Sequence, residues 1–224
     1  MMEKPSSIDI KKAASLTSIL SFCYGISSML TWNSILSTVV FYESLAPSYQ
    51  ISFMISACYF SFFVVVSVLI IPLGHRVSFY KRVHTNLLIQ AVLFCSVPFL
   101  LIKLSYSSTE KATFTTIVVF LIMCGILVSI LNSSLIGFCS SLAPRNITLF
   151  STGMGLSGLI SNLIRILLLM IYPEDNLDEG QYVGVFVFYS ITIACCLLLA
   201  SMYFFEKSNT VRNFYIQRIE KEEQ

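Results

Sequence analysis

Charged side chains are scarce in this 224-residue sequence: they make up 12% of it against 56% hydrophobic residues, too few to cover a water-facing globule. None of the acidic residues falls inside a long apolar run, so no carboxylate is placed for an intramembrane proton relay and nothing suggests ion coupling. Histidine is limited to His75 and His84, which flank one turn. With no acid pair, Ser-His-Asp set or metal-ligand spacing in the apolar runs, no hydrolytic constellation emerges, and the chain reads as a non-enzyme without a cofactor or metal. The cysteines, Cys23, Cys58, Cys95, Cys124, Cys139, Cys195 and Cys196, form no CxxC and no cluster with histidine. All lie in apolar runs and read as small packing residues rather than disulfides or metal ligands. No A-x-A-like site follows the first run, which is too long for the core of a cleavable signal peptide.

What the sequence does contain is six apolar runs. Crossing about 30 Å of hydrocarbon takes roughly 20 apolar residues per helix. Six spans meet that, at 14–42, 51–73, 84–104, 113–140, 147–172 and 181–205. Backbone groups in lipid must pair within their own segment or in a closed barrel, and these runs are too long and continuous for barrel strands. The fold class is therefore all-α: a cytosolic segment at 1–13, a six-helix membrane domain at 14–205 and a tail at 206–224. In that tail Val211, Phe214, Tyr215 and Ile219 share one face of a short amphipathic helix along the inner leaflet.

Orientation follows from the basic residues. Lys4, Lys11, Lys12, His75, Arg76, Lys81, Arg82, Arg145, Lys207, Arg212, Arg218 and Lys221 fall on one side, which is expected to be cytosolic with both termini. The opposite loops hold Lys103 and Lys111, and the fifth gap carries Glu174, Asp175, Asp178 and Glu179. The net charge of +2 hides this asymmetry. These residues are topogenic and at most touch lipid headgroups, so no nucleic-acid partner is expected.

Several local features invite a functional reading. Gly153-Met154-Gly155-Leu156-Ser157-Gly158 spells GxGxxG, but it sits inside an apolar helical run rather than after a buried strand. Gly153, Gly155 and Gly158 read instead as a helix-packing face, stripped of side chains so that a neighbour can approach. Trp32, the only tryptophan, lies near mid-run beside Asn33 rather than at an interface. Asn33 and Asn132 at that depth should point inward, either as interhelical hydrogen bonds or as substrate contacts. Arg165 lies about 18 residues into the fifth span, where snorkelling toward the acidic loop is favoured over a place in a permeation path. That loop lacks the EF-hand pattern and reads as solvated. The sequons at Asn132 and Asn146 lie inside a span and on the cytosolic side, so neither should carry a glycan.

Two stretches carry a family resemblance. Gly25-Ile-Ser-Ser-Met-Leu-Thr-Trp-Asn33 resembles the first-helix motif G-x-x-x-L-L-P-W-N of equilibrative nucleoside transporters, with Thr31 in place of the proline. Residues 137–158 follow that family's fourth-to-fifth-helix pattern without a gap, through Gly137, Leu142, Thr152, Gly153, Gly155, Leu156 and Gly158. Arg76 and Arg82 keep the spacing of its basic pair, and residues 211–217 resemble the sequence after its sixth helix. The Phe-, Tyr- and Ser-rich composition is most similar to protozoan members.

The resemblance implies a major-facilitator-like fold, of which this chain matches the amino-terminal six-helix half. It implies equilibrative transport of nucleosides or nucleobases by uniport and alternating access, serving purine salvage, with the plasma membrane as the expected location. Carried over by position, the substrate-lining residues are Met29, Trp32 and Leu36 in the first span, Phe60 and Phe63 in the second, and Asn132 in the fourth. Trp32 and the phenylalanines would wall in a base, and Asn132, where a glutamine is common in mammalian members, would hydrogen-bond its edge. Phe60 and Phe63 are reached by counting back from Arg76. In the family an Asp and an Arg on the eighth helix complete the site, so the expected partners are a second transporter half or a second copy, besides membrane lipid. The alternatives are a non-transporting membrane scaffold and half of another major-facilitator carrier.

Overall fold

The computed structural model describes residues 7–73, 79–107, 109–142, 144–172 and 177–206, and among them there is no strand. They form seven helices: α1 (Ser7–Ser37), α2 (Val39–Leu45), α3 (Ile51–Leu73), α4 (Phe79–Ser107), α5 (Glu110–Leu142), α6 (Pro144–Ile171) and α7 (Leu177–Glu206). Six of these, all except α2, are long and apolar enough to cross a membrane. The all-α, six-span reading of the sequence is the observed fold. Arg76, the residues after Glu206 and most of the acidic gap at 173–176 lie outside the described residues.

One expected span is divided. The run read as a single helix over 14–42 breaks at Thr38, which separates α1 from α2. Its hydroxyl donates back to the carbonyls of Ser34 (2.9 Å) and Ile35 (3.2 Å), and its own amide bonds Ile35 rather than the residue four back. A Thr side chain competing with the ladder in this way bends a helix, and the β-branched Val39 and Val40 that follow do little to restore it. The short α2 then turns Phe41 and Tyr42 into the core, where the Tyr42 and Tyr189 hydroxyls pair. Glu110 in the first turn of α5 clamps the loop beyond α2, accepting from the Ser48 amide (2.7 Å) and hydroxyl (2.8 Å).

Two apolar clusters fill the bundle. One holds Ile35, Phe41, Tyr42, Phe94, Phe120 and Tyr189; the other holds Leu20, Tyr24, Leu87, Leu135, Phe138 and Phe150. Between them runs a polar belt. The Thr31 hydroxyl donates to Gln90 Oε1 (3.0 Å), Gln90 Nε2 to Asn86 Oδ1 (2.7 Å), and Asn86 Nδ2 to the Leu127 carbonyl (2.8 Å). Ser34 and Thr192 pair at 2.7 Å. In hydrocarbon each of these groups needs a partner inside the bundle, so the chain of bonds joins α1, α4, α5 and α7 at one level.

The tightest helix pair is α1 with α6. A Cβ added at Gly25 would run into the Phe150 carbonyl oxygen and lie 3.1 Å from the Met154 amide nitrogen. One added at Gly153 would run into the Phe22 carbonyl oxygen and lie 3.2 Å from Cα of Gly25. The two backbones therefore touch, and only hydrogen in place of a side chain permits it. Gly155 faces the other way, with nothing within 4 Å of an added Cβ, and Gly158 meets only the Asn33 amide nitrogen at 3.9 Å. Of the three glycines expected to form a packing face, Gly153 makes the contact, and its counterpart is Gly25. A helix turns 100° per residue, so Gly153 and Gly155 cannot share a face.

Candidate functional site

Helix α1 distributes its side chains over four neighbours. Gly25 and Asn33 face α6, where Asn33 Nδ2 donates to Ser157 Oγ at 3.1 Å. Thr31 and Ser34 face α4 and α7 through the polar belt. The remaining face carries Trp32, whose ring lies 4.5 Å from that of Tyr59 and 4.7 Å from that of Phe60 on α3. Tyr59 meets Phe60 edge-on at 5.3 Å and stacks parallel to Phe63 at 6.2 Å. Tyr59 lies eight residues into α3, about 12 Å below its start, so the aromatic group sits well inside the hydrocarbon layer.

The structure thus brings Trp32, Phe60 and Phe63 into one cluster. Met29 and Leu36 flank Trp32 at three and four residues along α1, the spacing of a shared helix face. Phe60 is 46% exposed and Leu36 38%, while Trp32 and Phe63 are half-buried. Asn132 is buried on α5, and its Oδ1 has no hydrogen-bond partner among the described residues. No hydrogen bond joins it to Trp32 among the described residues. An orphaned acceptor at that depth is costly unless something supplies a donor.

Tyr59 is the member that the sequence reading missed. It is 2% exposed and central to the cluster, and a Cβ on Gly125 would come 2.5 Å from its carbonyl oxygen. That close approach of α3 to α5 fixes the backbone from which Tyr59 reaches Trp32. Its signal was the spacing of Tyr59 and Phe63, one turn apart on one helix face.

A second concavity lies elsewhere. Near the C-terminal ends of α1 and α6 and the start of α7 a cleft of about 510 Å³ is bounded by Ser37, Phe41, Arg165, Leu168, Tyr172 and Gln181, among others. None of Met29, Trp32, Leu36, Phe60, Phe63 or Asn132 lines it. Arg165 is exposed there, one turn beyond the buried Ser161.

Six membrane-crossing helices with a polar belt and an aromatic group between α1 and α3 define an integral, multi-pass membrane protein. Comparison with known proteins carries this further. No family model matches the chain. Curated relatives do, and they are equilibrative nucleotide transporters of Arabidopsis thaliana. Number 7 is 25% identical over 206 residues, 87% of this chain and 46% of the relative. Number 8 is 21% identical over 194 residues, 85% and 49%. Number 1 is 22% identical over 206 residues, 91% and 45%. The resemblance to the equilibrative transporter family read from the sequence therefore extends along most of the chain. The chain spans about half the length of the curated relatives it matches. Those relatives are named as transporters and not as enzymes, in agreement with the reading of this chain as a non-enzyme.

Proposed function

We infer that this chain takes part in equilibrative transport of nucleosides or nucleobases, with the α1–α3 aromatic face as one wall of the substrate site. The observation that carries the reading is the group of Trp32, Tyr59 and Phe60 beside the polar belt. A nucleobase offers two π faces and a rim of donors and acceptors. Its site needs flat aromatic walls and a few placed polar groups. Trp32 and Phe60 supply the first, Met29, Leu36 and Phe63 extend the wall, and the unpartnered Oδ1 of Asn132 supplies an acceptor for an exocyclic amine. The relatives are named for nucleotides, which share the same base.

The half-open wall needs a second set of helices facing it, and alternating access is the rocking of one set against the other about this level. Homodimerisation or helices encoded beyond these six would both provide it. Basic residues clustered on one side support cytosolic termini, and a plasma-membrane location with a role in purine salvage completes the proposal. Uptake of radiolabelled adenosine and hypoxanthine into purine-transport-deficient yeast expressing the chain tests the function. Saturable uptake that stops when the gradient collapses and fails in Trp32→Ala supports it. Uptake that is unaltered by Trp32→Ala contradicts it, and absence of uptake despite correct membrane insertion contradicts homodimerisation as the source of the facing helices.

A further inference from the structure

Arg165 is a full charge in a helix that is otherwise apolar toward its outer end, and the packing of α1 on α6 explains where it arrives. The pair runs parallel in near-constant register: Ser18 donates to Asn146 Oδ1, Gly25 lies against Gly153, and Asn33 bonds Ser157. Two turns beyond Ser157, Arg165 bounds a cleft together with Ser37 at the end of α1 and Gln181 near the start of α7. The guanidinium is six residues from the end of α6, about 9 Å, which is the depth from which an arginine reaches the headgroup level.

The cleft is built for an amphipathic anion. The residues that bound it include the polar Ser37, Arg165, Tyr172 and Gln181 and the apolar Phe41 and Leu168. A volume of about 510 Å³ lies within the range of small-molecule sites. Ile166, Leu169 and Met170 expose apolar surface beside it, so it opens toward acyl chains as well as toward water. Planar guanidinium matches phosphate oxygens with two parallel hydrogen bonds, and water exclusion on the bilayer side strengthens them.

We propose that this cleft binds a phosphate ester, held by Arg165 with Ser37, Tyr172 and Gln181, its organic part resting on Phe41 and Leu168. The site is separate from the Trp32 face and does not depend on the transport reading. Two sources share this chemistry: an anionic phospholipid headgroup entering from the leaflet, and a nucleotide entering from water. The competing anions are Glu174, Asp175, Asp178 and Glu179 in the sequence between α6 and α7.

Binding to the purified, detergent-solubilised chain is measured by native mass spectrometry with phosphatidic acid and with AMP, against diacylglycerol and adenosine as phosphate-free controls. The expected result is binding of at least one phosphate probe, weakened about ten-fold or more by Arg165→Gln and less by Arg165→Lys. Arg145→Gln, which changes another exposed cation, leaves it intact. Thermal melting confirms that the variants are folded. Phosphatidic acid alone assigns the site to lipid; AMP, with or without phosphatidic acid, assigns it to a soluble phosphate ester. If neither probe binds, as when a loop carboxylate holds Arg165, or if Arg165→Gln binds as the parent does, the proposal is overturned.

Discussion

Adding one methyl group to Gly153 should separate α6 from α1. A Cβ there collides with the Phe22 carbonyl oxygen, and contacts shorter than 3.0 Å are essentially never made by a Cβ. The carbonyl belongs to a helix and cannot swing aside, so α1 and α6 must part by about 1 Å, which forfeits a quarter to a half of each dispersion contact along the seam. With tens of atom pairs at about 0.1–0.2 kcal/mol each, the loss is about 2–3 kcal/mol, within the usual cost of overpacking. Alanine returns about 0.5–1 kcal/mol through its better helix propensity. The net effect of Gly153→Ala is a destabilisation of about 2 kcal/mol, lowering the melting temperature by about 4–8 °C for a chain of this length. Gly155→Ala meets open space and should leave melting unchanged or raise it slightly. Both are read by thermal melting of the purified protein in detergent, monitored by size-exclusion chromatography. Gly153→Ala melting at or above Gly155→Ala would refute the packing argument.

Three further outcomes are expected. Asn33→Ala and Ser157→Ala should each destabilise by about 0.6–2 kcal/mol, and the double variant by less than their sum, because both remove the same interhelical bond; additivity in a double-mutant cycle would show that the bond contributes nothing. Gln90→Leu strands the Thr31 hydroxyl and the Asn86 carbonyl at once, and should lower stability by about 1–3 kcal/mol, whereas melting equal to that of the parent would remove the belt from the account. Phe60→Ala should weaken adenosine binding about 10- to 100-fold, the usual range for loss of one base-stacking ring; equilibrium binding that matches the parent would place the base elsewhere.

The spans were legible because hydrocarbon thickness imposes a length on every crossing helix and the apolar runs meet it. The break at Thr38 was not, since a hydroxyl bonding back into its own helix leaves no gap in hydropathy. GxGxxG showed that small residues mattered in α6 but not which of them, as that depends on the angular position of α1. Gly153 touches Gly25 while Gly155, two residues on, faces open space. The aromatic face was readable in part through Trp32, Phe60 and Phe63. Tyr59 escaped because its place depends on α3 sitting against Gly125, a contact 66 positions away in sequence. Arg165 was visible as an anomaly, but the cleft it bounds depends on how α1, α6 and α7 come together.

The single tryptophan makes the central claim directly measurable. Trp32 is the only indole in the chain and lies on the face proposed to hold the base, so its emission reports on that face alone. Titrating the purified protein with adenosine should quench and shift Trp32 emission saturably, with hypoxanthine competing and Phe60→Ala moving the midpoint to higher concentration. A folded protein whose Trp32 emission is indifferent to both ligands up to millimolar concentration would contradict the assignment of this aromatic face to a nucleobase.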